Sequence, residues 1–185
     1  MSYTIGLPTP SGGSSAPADS DRCWVSKFTS GAAGTMVQGT VCFTAGTAAG
    51  TSGKFVVLSA SAGEPDAVLA VSGAVSIPAG ASTVTFTLGG EAVAAATDYY
   101  LGIVTNSFEA VIDEAASAGA YSKRLANGTF SYATPPGTWP GTDGSYTDNS
   151  PSVSLVIEDV VAGPTMGYLR PNRLRPRIFG PGIAR

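Results

Sequence analysis

The chain has 185 residues, a net charge of −3 and a hydrophobic fraction of 43%, which suits one domain of about 100–150 residues with extensions. Histidine is absent and charged residues make up only 12%, so Ser-His-Asp and Cys-His catalysis and the favoured zinc ligand are excluded. We therefore expect no enzymatic activity, no cofactor and no metal site. The 24 glycines and 13 prolines are typical of short strands joined by many turns.

The N-terminal residues 1–20 are rich in Pro, Gly and Ser, which predicts an extended arm without a regular element. Residues 1–13 carry no basic residue and no long apolar run, so we expect no secretory signal. No segment approaches 18 consecutive apolar residues, so we expect no membrane span. Cys23 and Cys42 are then expected to be free buried thiols in a reducing cytosol, with a disulfide across adjacent strands as the alternative.

Short segments rich in alternating or β-branched apolar residues predict strands from Arg22 onward. The clearest lies at 82–88, where Val84, Phe86 and Leu88 alternate with threonines, as the pleat of a half-buried strand requires. The dipeptide Ser72-Gly73 predicts a hairpin turn. The predicted strands are 22–29, 35–44, 53–60, 67–71, 74–77, 82–88, 98–105, 108–112, 129–134 and 151–159.

The stretch 113–150 is predicted to be rich in loops apart from the strand at 129–134, and only 109–120 has enough alanine for one or two helical turns. The regular spacing of short strands favours a β-sandwich or jelly roll. The predicted fold is therefore all-β: one sandwich or jelly-roll-like domain over 21–163, an extended N-terminal arm over 1–20, and a basic C-terminal arm over 164–185.

The C-terminal arm differs in charge from the rest of the chain. It contains five of the ten basic residues and no acidic residue, so it carries +5, whereas the five basic and 13 acidic residues of 1–163 give −8. Arginines alternating with apolar residues suit a groove on an acidic protein partner, since a guanidinium pairs with a carboxylate through two hydrogen bonds; disorder and nucleic-acid contact are the alternatives. The predicted partner-binding residues are Tyr168, Leu169, Arg170, Arg173, Leu174, Arg175, Arg177, Ile178, Phe179, Ile183 and Arg185.

Three aromatic residues form a second candidate surface. Tyr132, Trp139 and Tyr146 lie in a region rich in Pro and Gly, and such rings cap a core, anchor a protein interface or stack on sugar rings. The oxygen donors near Asp143 and Asp148 do not have the spacing of an EF-hand loop, so we expect no calcium. The carboxylates elsewhere show no spacing that pairs them for glycoside hydrolysis.

Several motifs resemble a known class of protein. The segments VQGTVCFTAGTAAGTSGKFVVLSASAGEPDAVLAV and VSIPAGASTVTFTLGGEAVAAATDYYLGIVTNS, followed by FSYATPPGTWP and SVSLVIE, resemble a β-sandwich module of bacteriophage virion proteins and some bacterial surface proteins. The C-terminal RPNRLRPRIFGPGIAR is similar to the Pro/Arg tails of phage structural proteins. The resemblance implies a capsid decoration (cement) protein, a minor capsid component or a head or tail fibre domain, and it assigns no functional residue.

Two functional hypotheses follow from these observations. In the first, the chain is a structural virion protein without catalytic activity, made in the host cytoplasm and docked through its arms on the major capsid protein or another virion protein. We expect a homo-oligomer, with a trimer as an analogy, and no binding to nucleic acid or membrane. In the second, it is a carbohydrate-binding or adhesin module that binds glycan through the aromatic residues.

Overall fold

The computed structural model describes residues 1–10, 14–18, 20–45, 47–107, 109–124, 129–141 and 144–159. These residues form an all-β structure of antiparallel strands, with no helix among them. The strands are β1 (Ser2–Gly6), β2 (Ser14–Ala18), β3 (Cys23–Thr29), β4 (Gly34–Phe43), β5 (Ser52–Ser61), β6 (Glu64–Val71), β7 (Val75–Ser76), β8 (Ser82–Thr87), β9 (Ala92–Val93), β10 (Asp98–Thr105), β11 (Ala110–Arg124), β12 (Gly144–Pro151) and β13 (Val153–Glu158).

Two antiparallel sheets pack face to face as a β-sandwich. The front sheet has the order β1-β13-β4-β8, and β9 extends the line of β8 along β4. The back sheet has the order β6-β5-β10-β3-β11-β12, with β7 beside β5. The long strand β11 joins the sheets at one corner, because Ile112 pairs with Phe43 of the front sheet and its distal half pairs with β3 of the back sheet.

The main core lies between the two sheets. On β8 the side chains of Val84 and Phe86 are buried while the intervening threonines are exposed. This alternation is expected of a strand with one face on the core and one face exposed to solvent. Phe86 meets Phe55 of β5 at a centroid distance of 6.1 Å. Gly39 of β4 leaves the space that the Phe55 ring occupies, so a residue without a side chain on one sheet accommodates a large ring on the other.

A second, smaller core covers the outer face of the back sheet. It contains Val56, Leu58 and Tyr100, and Phe130 from the loop 129–141 closes it, with Trp139 packed at its margin. The central strands of the back sheet are therefore buried on both faces, as the nearly uninterrupted burial of β10 shows. This explains why the strand 53–60 has an apolar run instead of a clean alternation.

The predicted fold class is confirmed, and most predicted strands occur near their expected positions. The structure contradicts the prediction for the N-terminal arm where it describes that segment. Ser2–Gly6 pairs with β13 along its whole length, and Ser14–Ala18 pairs with the first half of β11. Main-chain pairing needs no hydrophobic pattern. The buried Ile5 and the partly buried Tyr3 of β1 pack against the core and are apolar signals that the prediction overlooked. The C-terminal arm, 164–185, lies outside the described residues.

The hairpin predicted at Ser72-Gly73 is wrong. β6 and β7 both pair with β5 instead of with each other. The β5–β6 hairpin turns at Ala62 and Gly63, which have φ values of 51° and 83°. A turn of two residues in the left-handed region has the twist that tight hairpins favour. Ala62 stands where such turns usually have Asn, Asp or Gly, so the sequence does not predict this turn.

The predictions of a loop-rich stretch and of helical turns after residue 108 are also wrong. Ala110–Arg124 is one long strand and Gly144–Pro151 pairs with it, whereas 129–134 forms no strand. The run of Ala, Ser and Gly in β11 carries little strand propensity, but its pairing with β2, β3, β4 and β12 outweighs that local preference.

Candidate functional site

One corner of the front sheet is formed by the start of β1 and the end of β13. The described chain ends at Asp159, directly after β13, and the Asp159 main-chain N–H donates to the Met1 carbonyl at 2.8 Å. The Met1 ammonium lies 3.0 Å from the Asp159 carboxylate, and Glu158 beside it is exposed. The described chain therefore ends at an exposed corner that carries the acidic residues Glu158 and Asp159. The predicted partner-binding residues, from Tyr168 to Arg185, lie outside the described residues.

The loop 129–141 brings Tyr132 and Trp139 together on the outer face of the back sheet. Its main chain is held at both ends: the Tyr132 N–H donates to the Asp21 carboxylate at 2.5 Å, and the Trp139 N–H donates to the Asp66 carbonyl at 2.7 Å. The Val68 N–H donates to the Gly137 carbonyl at 2.9 Å. The loop thus covers the outer edge of β6 with main-chain hydrogen bonds.

Both rings of this loop are engaged by the protein itself. Trp139 is half-buried and its ring centroid lies 6.2 Å from that of Phe130. The Lys54 ammonium lies 4.7 Å from the centroid of the half-buried Tyr132 ring and donates to the Tyr132 carbonyl at 2.7 Å, so it makes a cation–π contact. These contacts are those of rings that cap a core, which is one of the three roles that the sequence leaves open. Tyr146 lies on β12, and its side chain is outside the described part.

Two contacts that hold this loop had no signal in the sequence. Asp21 lies 111 positions from Tyr132 and has a φ of 52°, a conformation that aspartate tolerates better than most residues. Lys54 lies 78 positions from the carbonyl that it binds. Neither pair has a spacing or a motif that would predict it.

A cavity of about 510 Å³ opens at the end of the sandwich where β4 and β8 meet β11. Pro10, Phe43 and Ala81 form apolar parts of its wall, and Asp113 contributes a carboxylate that is only 4% exposed. The Ser152 hydroxyl donates to this carboxylate at 2.5 Å. The Ser152 N–H also donates to the Asp113 carbonyl at 2.8 Å, so Asp113 ties β11 to the link between β12 and β13.

The two cysteines are free and buried, as the sequence predicts. Burial raises the pKa of the Cys23 thiol. Burial also raises the pKa of the Cys42 thiol. The hydrogen bond between Cys42 and Thr83 lowers that pKa in part, and the nearby Asp113 carboxylate raises it further. Both thiols are therefore protonated at neutral pH and are poor nucleophiles.

The described residues contain no group of three or more His, Cys, Asp or Glu side chains placed to hold a metal ion. Within the same part of the chain, no helix has the length and hydropathy to cross a membrane. The sequence matches no protein-family model and no curated protein.

Proposed function

We propose that this protein is a structural virion component, of the capsid decoration (cement) or minor capsid type, that docks on a phage particle through its basic C-terminal arm. The observation that carries the proposal is the separation of charge along the chain: −8 over 1–163 against +5 over 164–185. The resemblance of the sandwich to phage virion modules supports the same role.

The composition of the arm supports a protein partner. Leu169, Leu174, Ile178 and Phe179 alternate with arginines, and each apolar side chain that becomes buried contributes about 1.5–3 kcal/mol before the cost of ordering the arm is subtracted. The prolines at 171, 176 and 181 restrict the free arm, which lowers that cost. The favoured partner is the major capsid protein or another virion protein that offers carboxylates beside an apolar groove.

The length of the arm is compatible with docking on a neighbouring subunit of a particle. The described chain leaves the front sheet at Asp159, which is exposed. Fully extended, 22 residues span about 70 Å, which exceeds the size of the domain itself. Repetition of the contact over many equivalent sites on a particle would compensate for modest affinity at each one.

The decisive experiment is co-sedimentation of the protein with particles of the parent phage that lack it. We expect a chain ending at residue 163 to keep the melting temperature of the full chain but to lose particle binding. Two full-length variants should also bind particles much more weakly. One replaces the five arginines of the arm by glutamine, and the other has serine at the apolar arm positions 169, 174, 178, 179 and 183.

The matched control is Lys27→Gln, which removes one positive charge from the sandwich near Asp98 and should leave particle binding unchanged. Normal binding by the chain ending at residue 163 would refute the docking role of the arm. The glycan-binding alternative stays a prediction, because the described contacts of Tyr132 and Trp139 are those of a core cap.

A further inference from the structure

The β8 strand leaves one side of the front sheet open within the described part of the chain. It pairs with β4 from Gln38 opposite Thr87 to Phe43 opposite Ser82 without a bulge. The Leu88 N–H donates to the Val37 carbonyl, which identifies residues 82, 84, 86 and 88 as those whose N–H and C=O groups face β4. The main-chain groups of Thr83, Thr85 and Thr87 therefore point away from β4, toward the open side.

Independent evidence supports this assignment of the hydrogen bonds. The Cys42 N–H donates to the Ser152 carbonyl at 2.9 Å, on the side of β4 away from β8. Cys42 lies opposite Thr83. Because the Cys42 N–H points away from β8, Cys42 and Thr83 form a non-hydrogen-bonded pair, as the alternation of pair types along an antiparallel ladder requires. The side chains of the three threonines are exposed. The open edge thus presents three main-chain donors and three acceptors, each next to an exposed hydroxyl.

The outer edge of β6, at the far side of the back sheet, is protected and that of β8 is not. The outer edge of β6 has Glu64, Pro65 and Asp66 at its start and is covered by the loop at Thr138. β8 has no charge, proline or bulge, the devices that normally prevent an edge strand from pairing with another chain.

The outward row of threonines is self-complementary. If two copies of β8 pair antiparallel about a two-fold axis at Thr85, then Thr83 faces Thr87 of the other copy and Thr85 faces itself. Each facing pair exchanges two main-chain hydrogen bonds, cross-strand Thr–Thr pairs are favourable, and no like charges meet. Val84 and Phe86 keep their places in the core, because pairing at the edge does not change which face a side chain occupies.

We propose that two copies of this protein associate through their β8 strands, so that the two front sheets form one continuous sheet across a two-fold axis at Thr85. The partner is a second copy of the chain. The contact is one short strand, which buries less surface than a stable standard-size interface, so the dimer forms at micromolar or higher concentration in solution and is favoured by the crowding of copies on a particle.

The test is sedimentation velocity of the full-length protein over a range of concentrations. The wild type should shift from monomer to dimer with increasing concentration. Thr85→Lys and Thr85→Glu should each stay monomeric, because like charges would face each other across the axis. Thr85→Val is the matched control: it keeps a β-branched side chain and all main-chain groups, and it should dimerise like the wild type.

An equimolar mixture of Thr85→Lys and Thr85→Glu provides the sharpest result. Opposite charges would then face each other, so the mixture should form a heterodimer at concentrations where each variant alone is monomeric, and added salt should weaken it. Equal melting temperatures of the variants will show that they fold. A monomeric wild type, a Thr85→Lys variant that dimerises normally, or a mixture that stays monomeric would each overturn the proposal.

Discussion

The packing of Phe55 against Gly39 gives a quantitative test of the sandwich. In a Gly39→Ala variant the added carbon would lie 2.7 Å or less from three atoms of the Phe55 ring, well inside the ordinary contact range of 3.4–4 Å. Both residues are buried at the centre of the core, so the ring has to move into Phe86, its neighbour at 6.1 Å.

The size of the effect follows from two opposing contributions. Overpacking a core by one methyl group costs about 1–3 kcal/mol, whereas replacing glycine by alanine in a strand gains about 0.5–1 kcal/mol. The two ranges leave a net cost of about 0–2.5 kcal/mol. Because three ring atoms would lie within 2.7 Å of the added carbon, we expect the upper part of that range, a decrease in the free energy of unfolding of about 1–2 kcal/mol. For a chain of this length that corresponds to a decrease in melting temperature of several degrees.

A double-mutant cycle with Phe55→Leu isolates the contact. Phe55→Leu alone should destabilise the protein because it leaves a void. Combined with Gly39→Ala, it makes room for the new methyl group, so the double variant should be more stable than the sum of the single changes implies, by about 1 kcal/mol. The assay is urea unfolding followed by tryptophan fluorescence. Strict additivity, or a Gly39→Ala variant as stable as the wild type, would refute the face-to-face packing at this point.

Two further predictions concern the second core. Trp139→Ala should lower the free energy of unfolding by about 1–3 kcal/mol, because it removes half-buried apolar surface against Phe130; unchanged stability in urea titration, with loss of glycan binding, would support the platform hypothesis instead. Because burial raises the pKa of Cys23 above its ordinary value of 9.0, its thiol ionises first in the unfolded chain. Its contribution to stability is therefore complete below pH 9 and is lost as the pH rises further. The wild type should lose about 1 kcal/mol more than Cys23→Ala between pH 8 and pH 10, and equal losses would contradict the buried position of this thiol.

The sequence predicted the elements whose side chains alternate or form apolar runs. β8 was recognised because Val84 and Phe86 alternate with threonines, and β10 because 98–105 is almost wholly apolar or aromatic. The all-β class followed from these strands and the turns between them.

The elements that sequence reasoning missed are held by long-range pairing. β11 has an Ala/Ser/Gly composition without a clear period, and it is a strand because four neighbours pair with it. β1 is short and follows no pattern, and its place is determined by the register with β13. The cap over the back sheet depends on Asp21 and Lys54, which meet Tyr132 only in the folded chain.

The most direct test of the docking role is a cryo-EM reconstruction of assembled phage particles that carry the protein. We predict continuous density for 164–185 lying along a neighbouring virion subunit, with the arginines of the arm against its carboxylates. A reconstruction in which the sandwich is well defined on the particle, but is held there by other surfaces while the arm contacts no subunit, would contradict the account.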